Sequence, residues 1–281
     1  GREPARTPAP PHPPLWCGGI RCRRGLALRP TARPPPGTMA LLNGFSHQAY
    51  PSGDSYEGQF RRGKRHGSGT YYHASNDRYE GEFCDDMMQG RGTYHYAGRE
   101  VYAGEWEANH RHGRGRLDYH DGSHYDGQWV EDSRHGHGRM VYADGSDYEG
   151  AWAGDVRQGE GRMRYADGSE YSGGWQANLR SGKGAARHRD GSTYAGEYVD
   201  DTPCGHGTLR SAAEGSVYEG QFRAGRRCGE GRCSYEAGGV FSGRWHQDQK
   251  VGGTLECDDG SVERVEYLND VMVKREAVKG P

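Results

Sequence analysis

Eight Gly-x-Gly pairs, from Gly67-Ser-Gly69 to Gly229-Glu-Gly231, are the first residues here whose type and spacing could do chemistry. Backbone N–H groups in such a loop cradle phosphate when the run continues to Gly-x-x-Gly or Gly-Lys-Ser/Thr and opens a helix. None of the eight continues that way, so the glycines read as structural. His66, His112 and His135 each stand just before the first glycine of a pair, and a ladder of histidines suggests metal. In an array of hairpins, however, equivalent residues of neighbouring repeats lie two strands apart, about 9 to 10 Å, while zinc holds each nitrogen at about 2 Å. The same separation puts Cys204 and Cys228 beyond the roughly 7 Å Cα reach of a disulfide, and free thiols are expected. No Gly-x-Ser-x-Gly, His-Glu-x-x-His or EF-hand loop occurs. The expectation is a protein without catalysis, cofactor or metal.

The elements that position these residues repeat. Aromatic rings fall at Tyr56, Tyr79, Tyr102, Tyr125, Tyr148, Tyr171, Tyr194, Tyr218 and Phe241, every step 23 residues except one of 24. With that ring as position 1, position 3 is glycine in all nine units and position 5 is always a ring, including the structural tryptophans Trp106, Trp129, Trp152, Trp175 and Trp245. Position 12 is always glycine, and position 14 is glycine except at Thr254. A search for such periods precedes any other reading, and chance does not hold one register nine times. Positions 1 to 5, as in Tyr148-Glu-Gly-Ala-Trp152, alternate with period two, which sets both rings on one face of a strand. Positions 13 to 18 alternate again, and Asp-Gly, as at Asp144-Gly145, marks the way to the next repeat with the strongest short hairpin signal. Glycine inside a strand is costly unless something needs its space. The rings at positions 1 and 5 are expected to lie across the bare glycines at 3 and 14.

Composition agrees with a thin architecture. Of 281 residues 48 are glycine and only 32% are hydrophobic, with mean hydropathy −1.08, too little for a thick core. Yet 19 Tyr, 6 Trp and 5 Phe are far more rings than a disordered polar chain carries. Residues 1–38 hold ten of the thirteen prolines and seven Arg against one Glu, which leaves 30 basic and 38 acidic residues, a net of −8, for the rest. The organisation read from this is a Pro/Arg-rich disordered segment over 1–43, the array over 44–267, and a C-terminal cap or tail over 268–281. Residues 262–276 fit a short helix as well, through Val262, Val265, Leu268 and Met272. An acidic body is a poor binder of nucleic acid or anionic lipid, so no nucleic acid and weak or no membrane binding are expected. Basic residues in the turn after the first strand, among them Arg65, Arg111, Arg134, Arg157, Arg180 and Arg227, would form a rim opposite acidic linkers. Cysteine usage suits a cytoplasmic setting.

The unit Tyr-Glu-Gly-x-Trp...His-Gly-x-Gly...Asp-Gly-x-x resembles the MORN repeat, named for membrane occupation and recognition nexus, over roughly residues 44–267. The resemblance implies an all-β fold, an elongated single-layer antiparallel sheet built as a solenoid-like array of about nine 23-residue hairpins with an aromatic-lined groove. Such repeats occur in ciliary radial-spoke proteins, membrane-junction proteins, partners of unconventional myosins, and the N-terminal parts of certain SET methyltransferases and phosphatidylinositol phosphate kinases. One fold thus serves several functions. The leading expectation is a scaffold or adaptor that binds a protein, or a second copy of itself as a homodimer, in a cytoskeletal or ciliary assembly. The rivals are a peripheral phosphoinositide-binding membrane adaptor and a regulatory fragment of such a kinase or methyltransferase.

The candidate contact residues come from where repeats differ. Position 18 is Tyr96, Tyr119, Tyr142 and Tyr165 in four consecutive units and Tyr235 once more, but His73, His188, Ser211 and Asp258 elsewhere, so the fold does not demand tyrosine there. Tyrosine is enriched at binding hot spots. At about 9.6 Å per repeat the stripe spans roughly 29 Å, suited to an extended segment of about nine residues or an amphipathic helix of about nineteen.

Overall fold

A computed structural model describes residues 42–278. The expected disorder of the first residues falls on positions outside the described range up to residue 41. Twenty-one antiparallel strands, from Gly44–Ala49 to Val271–Ala277, form one sheet in which each strand pairs with its predecessor and successor in sequence. The array is therefore all-β, a single elongated open layer, as the two periods require.

One unit shows how the sequence builds it. Strand His124–Val130 turns through Glu131 (φ 46°) and Asp132 (φ 66°) into strand Ser133–Val141. Two consecutive positive φ angles make the tight turn whose twist matches that of the strands. The same pairing of positive angles recurs at Asp85-Asp86, Ala108-Asn109, Ala177-Asn178, Asp200-Asp201 and Gln247-Asp248. Asp-Gly sits, as expected, in the connection to the next repeat, which is a longer linker than this two-residue turn. There the Gly145 N–H donates to the Tyr142 carbonyl at 3.0 Å, the Tyr142 N–H donates to the Ser146 carbonyl at 2.8 Å, and only Gly145 has positive φ. Asp144 Oδ1 accepts the Ser146 N–H at 2.8 Å and closes that linker. The tight turn is made by residues less suited to it because the preceding repeat holds it, as shown below.

Position-12 glycines serve a bulge. Trp129 pairs with Arg134 and Gly127 with Gly138, so the second strand carries two extra residues, and Gly136 among them has φ 57°. The Gln128 side chain accepts the His137 N–H at 2.7 Å and fills the hollow beneath. Positions 3 and 14 are different: Gly127 faces Gly138 within the hairpin and Gly138 faces Gly150 in the next, which leaves a glycine track across the sheet. A Cβ at Gly138 would stand 2.2 Å from the Tyr125 hydroxyl oxygen. The Tyr125 ring lies in that track and its hydroxyl donates to the Gln128 carbonyl at 3.0 Å. The ring at position 1 fills the track as expected, with the same bond at Tyr56, Tyr79, Tyr102, Tyr148, Tyr171, Tyr194 and Tyr218.

Both ends adjust the pattern. In the ninth unit Gly243 pairs with Gly253, and the strand Gln249–Glu256 holds a single extra residue. The glycine missing from position 14 is thus present one residue early, and Thr254 is no exception to the packing rule. Residues 262–276 are not a helix. They form the hairpin Val262–Leu268 and Val271–Ala277, turned by Asn269 (φ 50°) and Asp270 (φ 62°). The i, i+3 spacing of apolar residues there loses to Asn-Asp, a pair that tolerates positive φ.

Candidate binding face

Rings at positions 1 and 5 make one continuous stack. Tyr125 meets Trp129 edge to face at 5.2 Å and Trp152 of the next repeat at 5.5 Å, and the alternation runs from Tyr56 to Trp245. Edge-to-face pairs at this spacing are favourable beyond their area. The tryptophans are anchored as well: Trp106, Trp129, Trp152 and Trp175 donate Nε1–H to the carbonyls of Gly92, Gly115, Gly138 and Gly161 in the preceding repeat, at 3.0 to 3.2 Å. Trp245 Nε1 is buried with no such partner.

All these rings are buried, Tyr125 at 0% and Trp129 at 2% exposure, although among the described residues no second layer of strands or helices covers them. The cover is a row of arginines. Arg134 donates through its backbone N and Nε to Asp155 Oδ1 at 3.0 and 2.8 Å and through Nη2 to the Asp155 carbonyl at 3.1 Å. That pose lays its Cζ 4.5 Å from the Trp152 ring centre and 5.8 Å from that of Tyr125, within cation–π range. Arg65, Arg111 and Arg180 do the same with Asp86, Asp132 and Asp201, and Arg157 with Asn178 through its backbone N and Nη2, while Arg227 donates its backbone N and Nε to Asp248 Oδ1 and turns Nη1 and Nη2 to the Glu214 carboxylate. Each pair with a turn Asp or Asn spans 21 residues, so an arginine of one repeat fixes the positive-φ turn of the next. The expected basic rim is accordingly corrected: these guanidiniums fold over the aromatic face and are held by turn carboxylates instead of lining an edge. The Arg–Asp spacing of 21 residues is present in the sequence and would have revealed the ladder. Met88, Pro203 and Lys250 stand at the corresponding position in the three units that lack the arginine.

Tyr96, Tyr119, Tyr142 and Tyr165 each open a linker, with Tyr119 donating its N–H to the Ser123 carbonyl at 2.9 Å. All four are half-buried and pack against the core. They lie one repeat apart at the linker margin of the aromatic face, beside the arginines, and so form a broken row of separate rings. Tyr235 takes the same place in its unit, with its hydroxyl buried and unpaired.

Burial also sets how the face responds to alkali. The hydroxyls of Tyr56, Tyr148, Tyr171 and Tyr218 are pushed up to about 12, chiefly by desolvation, against about 10 in an unfolded chain. The neutral phenol is the form the fold accepts. Its contribution is complete below about pH 10 and drains away as pH rises toward 12. Titration should therefore show tyrosinate absorbance rising in a steep step together with loss of circular dichroism. Tyrosines that ionise near pH 10 with the sheet intact would contradict the burial.

The geometry defines a single-layer β-hairpin repeat protein whose own side chains close its aromatic face. Residues 56–78, 79–99, 102–124, 125–147, 148–170, 171–193, 194–213 and 218–240 match the family model of the MORN repeat, which covers more than half of the chain, and the chain belongs to that family. Repeats of this kind suggest a binding or scaffold role. Among solved structures, the chain is similar to the TCP10 domain of Danio rerio CPAP in complex with a peptide of Danio rerio STIL, at 11% identity and TM-score 0.41 over 81% of this chain and 98% of that one. It is also similar to the SAS-4 (dCPAP) TCP domain in complex with a proline-rich motif of Ana2 (dSTIL) of Drosophila melanogaster, at 11% identity and TM-score 0.32 over 64% and 92%. These likenesses are too distant to bear on what this chain binds. No curated protein matches it.

Proposed function

We propose that this protein is a non-catalytic scaffold that binds another protein along the row Tyr96, Tyr119, Tyr142 and Tyr165. The observation that supports the reading is the contrast in burial on one face. Rings at positions 1 and 5 are closed off, while the position-18 tyrosines keep part of their surface open at a repeat spacing of about 9.6 Å. A rigid ring with a polar tip gives much contact area at little entropic cost. The partner presents one extended segment or one amphipathic helix, and the setting is cytoplasmic, in a cytoskeletal or ciliary assembly. The arginines argue against a lipid-binding edge, because guanidiniums committed to turn carboxylates must break those bonds to reach headgroups.

The test is to change Tyr119 and Tyr142 together to Ser in the full chain. Melting temperature, recovery of co-purifying proteins and self-association by sedimentation are then compared with wild type. Loss of association with melting nearly unchanged supports the row as the site. A large drop in melting, or association unaltered, refutes it.

A further inference from the structure

At the start of the array three side chains from two neighbouring repeats converge on one point. His66 lies in the bulge of strand Lys64–Tyr72, Cys84 ends the adjacent strand Arg78–Cys84, and Asp85 opens the tight turn that follows. The pairing of Gly67 with Phe83 sets His66 beside Cys84. An imidazole nitrogen, a thiol sulfur and a carboxylate oxygen all lie within 4.8 Å of one another. The Asp85 amide N–H donates to His66 Nδ1 at 3.4 Å, which marks that nitrogen as the unprotonated one whose lone pair an ion would have to take over from the amide, and the Asp85 Oδ1 stands 3.5 Å from it. An imidazole, a carboxylate and a thiol that face each other are a donor set suited to a metal cation.

The juxtaposition is particular to this junction. In later units the residue at position 11 faces positions 6 and 7 of the next repeat in the same way, yet His112 meets Val130 and Glu131, and His135 meets Ala153 and Gly154. Cys228 meets His246 and Gln247, which supplies only a pair. The distance argument against a histidine ladder holds for equivalent positions. It does not apply to adjacent strands about 4.8 Å apart.

We propose that His66, Cys84 and Asp85 form a binding site for a zinc-type divalent cation, with a water completing four ligands. The donor chemistry selects the metal: a thiolate and an imidazole favour zinc or a softer ion over magnesium or calcium, which take oxygen. Drawing the three atoms onto one ion requires movements of about an ångström in side chains that are half-buried or exposed. Binding releases the Cys84 thiol proton to solvent and changes no oxidation state. Arg61 Nη2 lies 3.2 Å from Asp85 Oδ1 and competes for the carboxylate, so the ion displaces an arginine as it enters. Its structural effect is to staple the first hairpin to the second. The site does not depend on the partner-binding reading, since it lies at the tight-turn side of the first junction and uses none of the position-18 tyrosines.

Cobalt(II) is the probe. The full chain, reduced and stripped with chelator, is titrated without oxygen and the near-ultraviolet thiolate-to-cobalt charge-transfer band is followed, then zinc is added. A band that saturates at a single equivalent and bleaches with zinc is expected. C84S should abolish it, and H66N and D85N should each weaken binding by at least about tenfold, since losing even an outer-shell partner of a ligand costs that much. R61Q, which removes the competitor, should tighten it. Circular dichroism checks that each variant is folded. No band in the wild-type chain, a band undiminished in folded C84S, or equal affinity in H66N and wild type would overturn the assignment.

Discussion

Gly138→Ala should destabilise the array by about 2 to 4 kcal/mol, although it adds one methyl group to a strand with ordinary backbone angles. The new Cβ would meet the Tyr125 hydroxyl oxygen at 2.2 Å and its Cζ at 2.4 Å. Tyr125 cannot yield. It is fully buried, its hydroxyl is bonded to the Gln128 carbonyl, and Trp129 and Trp152 clasp it from two sides. Overpacking of a filled core costs about 1 to 3 kcal/mol, and loss of the hydroxyl's bond adds about 1 more. Gly145→Ala is the control. It has φ 88° and nothing within 4 Å of the added atom, so only the backbone penalty of about 1 kcal/mol applies. Urea denaturation of the two variants separates crowding from conformation. Since repeats contact only their neighbours, protease cutting in Gly138→Ala should begin near the linker at residues 142–146. Equal, mild losses in both variants would show that the ring does not need the bare glycine.

Arg134→Ala is the second large expectation, a loss of about 1 to 3 kcal/mol from a position that composition alone would class as surface charge. Its guanidinium stacks on Trp152, worth about 0.5 to 1 kcal/mol at a partly exposed site. Its bonds to Asp155 are discounted to about 0.2 to 1 kcal/mol, because Asp155 is half exposed and water screens it. The remainder comes from uncovering Trp152 and from freeing a turn held at positive φ, Asp155 at 68°. Arg134→Met, which copies Met88 of the second unit, should recover the covering part only. A double-mutant cycle with Asp155→Ala isolates the ion pair. A loss within about 0.5 kcal/mol, as for an ordinary surface residue, would mean that the arginines decorate the face without closing it.

Repetition made most of this fold readable. Strand alternation, the shared face of positions 1 and 5, and the fit of ring to glycine all follow from side-chain direction and size, which a period of 23 displays many times over. What the sequence hides is what depends on a neighbour. Glu131, Ala108 and Gln247 are poor candidates for positive φ, and they adopt it because the following Asp or Asn is held by the preceding repeat. Thr254 looks like a lost glycine until Gly253 is seen opposite Gly243. The arginines read as a rim because their charge is visible in sequence and their Asp partner, 21 residues on, is visible only as a pattern between repeats. Of the proposed binding residues, the tyrosines were legible as variable positions. Their place at the linker margin was not, since position 18 follows the last paired residue of its strand.

The bond between an arginine and the turn of the following repeat also gives the array a direction in time. The turn at Asp132 is received by Arg111, that at Asp155 by Arg134, and the first turn by Leu42 and Asn43, whose carbonyl and side chain accept the Gly63 and Arg62 N–H groups. Every hairpin thus closes onto a surface made by residues already synthesised. A nascent chain leaving the ribosome can add one finished unit after another without waiting for its C-terminus. Shortening from the two ends is not equivalent. Loss of the last hairpins leaves every remaining turn with its receiver, whereas loss of the first strips the next turn of the groups that hold it in the left-handed region.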